Sequence, residues 1–303
     1  MPYDQNDLRS QLTATKTEVR KSGATFAPQY FEFSKLEPDQ VTPLGTRSWF
    51  VRSQNCVVDY SEAQAGDLLR RTEQPDEYMV LFPFAESAAI ITADDDGAEV
   101  RGSAVVIIPP GTSEIEIEAS GPLLRLFSNR ATDLLERCRN ADVYATQPDP
   151  NVAPFEPWPD PPEGPHIRVY RLGEIKHDPG RFGRLLRCST IMVNYFYVDP
   201  EPRSPHQLSP HHHDDFEQIS LQLEGDYVHH IRTPWTVDLD QWRDDEHQHC
   251  TSPAITIIPP PAVHTSQSIG HMPHQLVDIF SPPRIDFSER PGWVLNHDTY
   301  PMP

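Results

Sequence analysis

The sequence predicts an all-β protein made of two tandem domains with a few short helices. Short runs of Val, Ile, Leu, Tyr and Phe are separated by Gly, Pro and Asp turns along most of the 303 residues. The 33 prolines, far above the usual ~5%, disfavour long helices. The two halves also repeat one another in order.

The repeat defines the domains. Val57-Val58-Asp59-Tyr60 matches Met192-Val193-Asn194-Tyr195 at an offset of 135, and Glu77 matches Glu217 at 140. Ile107-Ile108-Pro109-Pro110 matches Ile257-Ile258-Pro259-Pro260 at 150, and Leu126-Phe127-Ser128 matches Ile279-Phe280-Ser281 at 153. Slowly growing offsets in a constant order mean a duplicated domain with small insertions. Between the copies, residues 147–165 carry eight prolines, a stiff extended linker. We therefore expect an N-terminal domain over 1–146, a linker over 147–165 and a C-terminal domain over 166–303. Two helices are expected, at Asp7 to Lys21 and Leu134 to Arg139, the first an arm packing on a partner. Asp94-Asp95-Asp96-Gly97 reads as a hairpin turn rather than a calcium loop.

The formal net charge of −20 argues against nucleic acid or an anionic membrane as partner. An anionic substrate would need a local basic patch, for which Arg181, Arg184 and Arg187 are candidates. Cys56, Cys138, Cys188 and Cys250 are scattered without metal or disulfide spacing. With no apolar leader in Met1 to Arg20, a cytoplasmic protein is expected.

All fourteen histidines fall between His166 and His297, so metal chemistry belongs to the second half. His211, His213 and Glu217, with His264 after the proline-ended strand Ile257 to Pro261, form a ligand set suited to Fe, Mn, Ni, Zn or Cu. Alternation places His211 and His213 on one face. Carried on through Glu217, it points Ile219, Leu221 and Leu223 inward and Gln218, Ser220 and Gln222 outward. After a turn at Gly225, Val228 and His230 are expected inward, Tyr227 and His229 outward.

In these residues the chain resembles the cupins, and its duplication resembles a bicupin. His211, His213, Glu217 and Gly225 match the first cupin motif; Pro259-Pro260-Pro261-Ala262-Val263-His264 matches the second, with Pro261 where the family has Gly. The resemblance implies two tandem jelly-roll barrels, with the metal motif in the second half alone. In the first half, Arg71, Glu73, Glu77 and Glu114 stand at the ligand positions, so that domain is expected to be structural. Its strand Glu77 to Phe84 is apolar on both faces, so Tyr78, Val80, Phe82 and Phe84 are expected to pack against another domain or subunit.

The resemblance implies one divalent transition metal per chain, iron favoured, acting on a small organic molecule. An apolar interior of Ile219, Leu221 and Leu223 beside Phe216 suits a dioxygenase substrate. The alternatives are a sugar or sugar-acid isomerase with His230 as base, and a cupin that binds a small molecule without turnover. Neither nucleic acid nor membrane is expected as partner, and a homo-oligomer, a dimer, is. Pro234 to Cys250, with Trp235, Trp242, His247 and His249, reads as a surface or dimer-contact loop, or a lid. His271 and His274 are expected to be exposed.

Overall fold

Alternating apolar positions resolve into antiparallel strands in a computed structural model that describes residues 25–145 and 147–303. The helix expected over Asp7 to Lys21 lies outside these residues. The first half runs through β1 (Gln29–Glu32), β2 (Gln40–Val41), β3 (Arg47–Arg52), β4 (Cys56–Ala63), β5 (Leu68–Gln74), β6 (Tyr78–Phe82), β7 (Ala88–Ala93), β8 (Asp96–Arg101), β9 (Ala104–Ile108), β10 (Gly111–Ile117) and β11 (Gly121–Ser128). Helices α1 (Thr132–Leu135) and α2 (Ala141–Ala145) follow. The second half runs through β12 (Arg168–Arg171), β13 (Arg184–Arg187), β14 (Met192–Tyr195), β15 (Gln218–Glu224), β16 (Asp226–Arg232), β17 (Glu246–Thr251), β18 (Ala254–Ile258), β19 (Val263–Ile269) and β20 (Gln275–Phe280), ending in α3 (Ile285–Ser288).

Each half makes one large and one small sheet. The first pairs β12-β9-β6-β11-β4-β3-β2 with β5-β10-β7-β8; the second pairs β1-β18-β15-β20-β14-β13 with β17-β16-β19. The sheets do not follow the expected division at 147–165. β1 leaves its own half to pair with β18, Gln29 opposite Ile257. β12 does the reverse, pairing with β9 with Arg168 opposite Ile107. The two registers are equivalent under the repeat, so the exchange is reciprocal. Nor does the linker hang free: Trp158 N–H donates to Ser189 O at 2.7 Å and Ala153 N–H to Asp215 O at 2.8 Å.

Two buried apolar layers result. The two large sheets pack back to back through Met79, Leu81, Ile107 and Leu126 of one half and Ile219, Leu221, Val277 and Ile279 of the other. Burying such side chains is worth ~1.5–3 kcal/mol each, so the interface between the halves is itself a core. Inside the first barrel, Tyr78, Val80, Phe82, Ile91, Ile115 and Phe127 fill the space between its sheets.

These positions correct the expected phase of β6 and β15. Ile219, Leu221 and Leu223 face the other half rather than a cavity, and Tyr78, Val80 and Phe82 face their own barrel rather than a neighbour. Alternation separates the two faces of a strand but does not say which lines the lumen. The hairpin expected from the Asp-Gly pair is present but turns two residues earlier, at Asp94-Asp95, with Ala93 pairing with Asp96 and Thr92 with Gly97 across β7 and β8. At Gly225, φ is +89° and a Cβ would lie 2.5 Å from His274 Cδ2, so only glycine fits there. Among the described residues, no helix is long and apolar enough to cross a membrane.

Candidate metal centre

The second barrel encloses polar side chains where the first encloses apolar ones. His211, His213 and His264 come together at one end, each offering a ring nitrogen within 4.8 Å of the others, all buried. His211 reaches the site because its backbone bridges His264 just beyond β19's first residue, His211 N–H donating to His264 O at 3.0 Å. Backbone carbonyls settle two tautomers. His211 Nδ1 lies 2.9 Å from Ser209 O and His264 Nδ1 2.9 Å from Ala262 O. Each Nδ1 therefore carries the proton and leaves Nε2 as a lone pair.

Glu217 does not join them. Its carboxylate accepts from Tyr144 Oη–H at 2.7 Å and Gln54 N–H at 2.5 Å, both from the other half. Burial raises its pKa to about 7, against the lowering effect of these two donors. The physical reason is local: residues 212–217 bend rather than run as a strand, so the parity that joins His211 to His213 does not reach residue 217. The residue delivered to the histidines is the next one, Gln218. Its Oε1 lies 2.8 Å from His213 Nε2 and 3.3 Å from His264 Nε2. Gln218 Nε2 donates to Ser220 Oγ at 2.9 Å and Asp278 Oδ1 at 3.0 Å. A carboxylate accepts only, which orients the amide with its oxygen toward the imidazoles.

The sequence held a signal for this. Glu77 occupies the place of Glu217 in the half that has no histidine, and it too spans the halves, accepting from Ser189 Oγ–H at 2.8 Å and Tyr300 Oη–H at 3.0 Å. A glutamate kept without its histidines serves the interface.

The expected base, His230, points to the outer face, its Nδ1 2.7 Å from His247 Nδ1. His229 takes the inner position, fully buried between Gln222 and Ser266, and desolvation lowers its pKa to about 3. Phe216 stacks on His213 with ring centroids 4.4 Å apart. Burial holds the His213 pKa well below the ordinary value, with nearby Arg284 and the other two histidines adding to the effect. His274, expected to be exposed, is buried, whereas His271 is exposed as expected. The expected basic patch is absent as a surface: Arg184 and Arg187 are buried, Arg184 donating to Phe196 O at 2.8 Å and Arg187 lying over the Trp158 ring at 4.9 Å.

A cavity of about 450 Å³ opens beside the triad. Phe182, Phe196 and Leu276 give it an apolar wall; Gln218, Asp278, Ser266, Ser268, Thr265 and His274 give it polar groups. His274 Nε2–H donates to Ile269 O at 2.7 Å, leaving a Nδ1 lone pair with no hydrogen bond within the protein.

Among the described residues, the first barrel shows no such centre. Arg71 faces Ser113 across β5 and β10 as His211 faces His264, so Ser113 rather than Glu114 stands at the last ligand position. Tyr78, in Gln218's place, bonds to Ser113 Oγ at 2.9 Å and stacks on Phe127 at 4.8 Å. Glu73 is exposed and Glu114 pairs with Arg70.

No family model matches the sequence, and no curated protein matches it. Solved structures do. Lactobacillus farciminis oxalate decarboxylase in its formate complex superposes with a TM-score of 0.56 at 17% identity, over 86% of this chain and 88% of that one. A point variant of Bacillus subtilis oxalate decarboxylase gives 0.54 at 15% identity, over 85% of this chain and 78% of that one. This chain shares the two-barrel fold of these structures. AerE from Microcystis aeruginosa gives 0.52 at 11% identity, over 86% of this chain and 100% of AerE. At these identities the likeness concerns the fold. The donor set fits a divalent transition metal on its own chemistry: two imidazoles whose Nε2 is left unprotonated because Nδ1 donates to a backbone carbonyl, a third beside them, and an oriented amide oxygen.

Proposed function

We propose that this chain is a metal-dependent enzyme acting on a small, oxygen-rich organic molecule, with the ion held by His211, His213, His264 and Gln218. The observation that carries the reading is the approach of His213 Nε2 and His264 Nε2 to Gln218 Oε1, with His211 completing the cluster at a cavity of ligand size.

All four donors are neutral. A bound divalent ion would supply Lewis-acid stabilisation of negative charge on a substrate oxygen, and no ligand charge would offset its own. This favours an anionic or enolisable substrate. The dioxygenase expectation rested on an apolar interior of Ile219, Leu221 and Leu223, and these residues lie on the opposite face. The polar lumen instead supports proton-transfer chemistry, of the isomerase or decarboxylase kind.

The chain's own residues supply the rest. Asp278 and Ser220 hold Gln218 in place, Phe182 and Phe196 exclude water, and Thr265 and Ser268 orient a polar substrate. His274 Nδ1 is the lone pair placed to accept a proton, the role the sequence suggested for His230. Metal analysis of untagged protein, then a substrate screen with and without oxygen, tests the proposal. Turnover of an organic acid or keto-sugar under nitrogen, lost in His264→Gln together with the metal, is expected. Turnover that requires oxygen restores the dioxygenase, and metal-free protein that turns over normally removes the metal.

A further inference from the structure

We propose that His230 and His247 form a second metal site, on the outer face of the sheet whose inner face lines the cavity. The two residues stand directly opposite each other on β16 and β17. Their Nδ1 atoms are 2.7 Å apart, with the rings at 64° and centroids 4.9 Å apart. Two nitrogens bound to one ion at ~2.0–2.1 Å stand about 2.9–3.3 Å from each other for angles between square and tetrahedral. Opening the pair by a few tenths of an ångström therefore makes it a chelate.

The tautomers suit this. His230 Nε2 faces Gln267 Oε1 at 3.3 Å, and an amide oxygen only accepts, so His230 carries its proton on Nε2. His230 Nδ1 is then a lone pair, and His247 Nδ1–H donates to it. Binding an ion requires only that His247 move its proton from Nδ1 to Nε2; no proton leaves the protein and no bond to carbon changes. The surrounding sheet holds the two rings in register. Arg232 and Asp245 pair on the next rung, and His249, with Asp226 3.8 Å away, lies two residues along the same face. His247 is exposed and His230 half-buried, so the remaining coordination positions open to water. Imidazole donors with water select Zn, Cu or Ni over Mg or Ca. The site is independent of the triad, since its residues face away from the lumen.

Equilibrium dialysis of all variants at the same free Zn²⁺, followed by metal analysis, tests this. The wild type is expected to hold one equivalent more than His230→Gln or His247→Gln, while His211→Gln keeps the outer ion. One equivalent of Cu²⁺ bound to His211→Gln/His264→Gln, in which a single inner imidazole remains, should show nitrogen hyperfine splitting from two imidazoles. If the double variant His230→Gln/His247→Gln binds as many ions as the wild type, or the copper spectrum lacks splitting from two nitrogens, the pair is only a hydrogen bond and the proposal is overturned. Loss of the triad's ion alone leaves the outer count unchanged, so failure at one site is distinguishable from failure at the other.

Discussion

At the scale of single residues, the adjacent pair Glu217 and Gln218 divides two duties, and substitutions should separate them. Gln218→Ala is expected to weaken metal binding, and Gln218→Glu to strengthen it by adding the charge the site lacks; metal analysis at fixed free ion reads both. Glu217→Gln should retain metal. Asp278→Asn leaves the ligands intact but loosens the amide behind them, and about 10–100-fold in metal affinity is expected to go with it. The buried carboxyls also predict a pH dependence. Burial raises Glu217 from 4.5 to about 7 and Asp149 from 3.8 to about 6. A carboxyl whose pKa is raised by folding binds its proton more tightly in the native state. The stability it contributes is fully present below the unfolded value and is lost as pH rises through the folded one. For Glu217 this amounts to on the order of 3 kcal/mol. Denaturant unfolding should thus show stability falling between about pH 4 and pH 7, with a flatter profile in Glu217→Gln. A profile that rises across that range in the wild type would contradict the assignment.

At the scale of elements, β15 shows what the sequence could and could not reveal. Its alternation was legible, and so were the turn at Gly225 and the two histidine motifs that bracket the barrel; the hairpin expected at that turn is instead a crossing between sheets, since β15 pairs with β18 and β20 and β16 with β17 and β19. What β15 faced was not legible. Polar residues on a strand ordinarily mark the solvent side, but here Gln218, Ser220 and Gln222 are buried against Asp278 and His229 of their own barrel, and the apolar face meets the other half. Only β6, apolar on both sides, hinted that each large sheet has two buried faces. The reciprocal exchange of β1 and β12 was invisible for another reason: an edge strand's sequence does not name the sheet it joins. The exchange carries its own prediction. Removing residues 1–32 should bare the edge of β18, raising amide exchange over 254–258 in the far half while 104–108 stays protected by β12. Equal exposure of both segments would argue against the pairing.

At the scale of the molecule, two equivalent clamps join the halves. Tyr144 and Gln54 hold Glu217 in one; Tyr300 and Ser189 hold Glu77 in the other. Within each half, Asn140 and Asn296 form an equivalent pair, their side-chain oxygens accepting from Arg52 N–H at 3.0 Å and Arg187 N–H at 3.1 Å. Together with the shared apolar layer, the two clamps leave no plane along which the halves part without exposing both. One cooperative thermal transition is expected by calorimetry. Tyr300→Phe, which withdraws a donor from a buried carboxylate, is expected to destabilise by about 1–3 kcal/mol. Two resolved transitions would mean that the barrels unfold separately.

The traded strands also bear on how such a chain can be shortened. The half without histidines lends the other an edge it cannot supply itself, so the half that carries the histidine triad is not a portable module. Whoever wishes to graft this centre elsewhere must carry along a short borrowed ribbon from far upstream, or design a substitute for it.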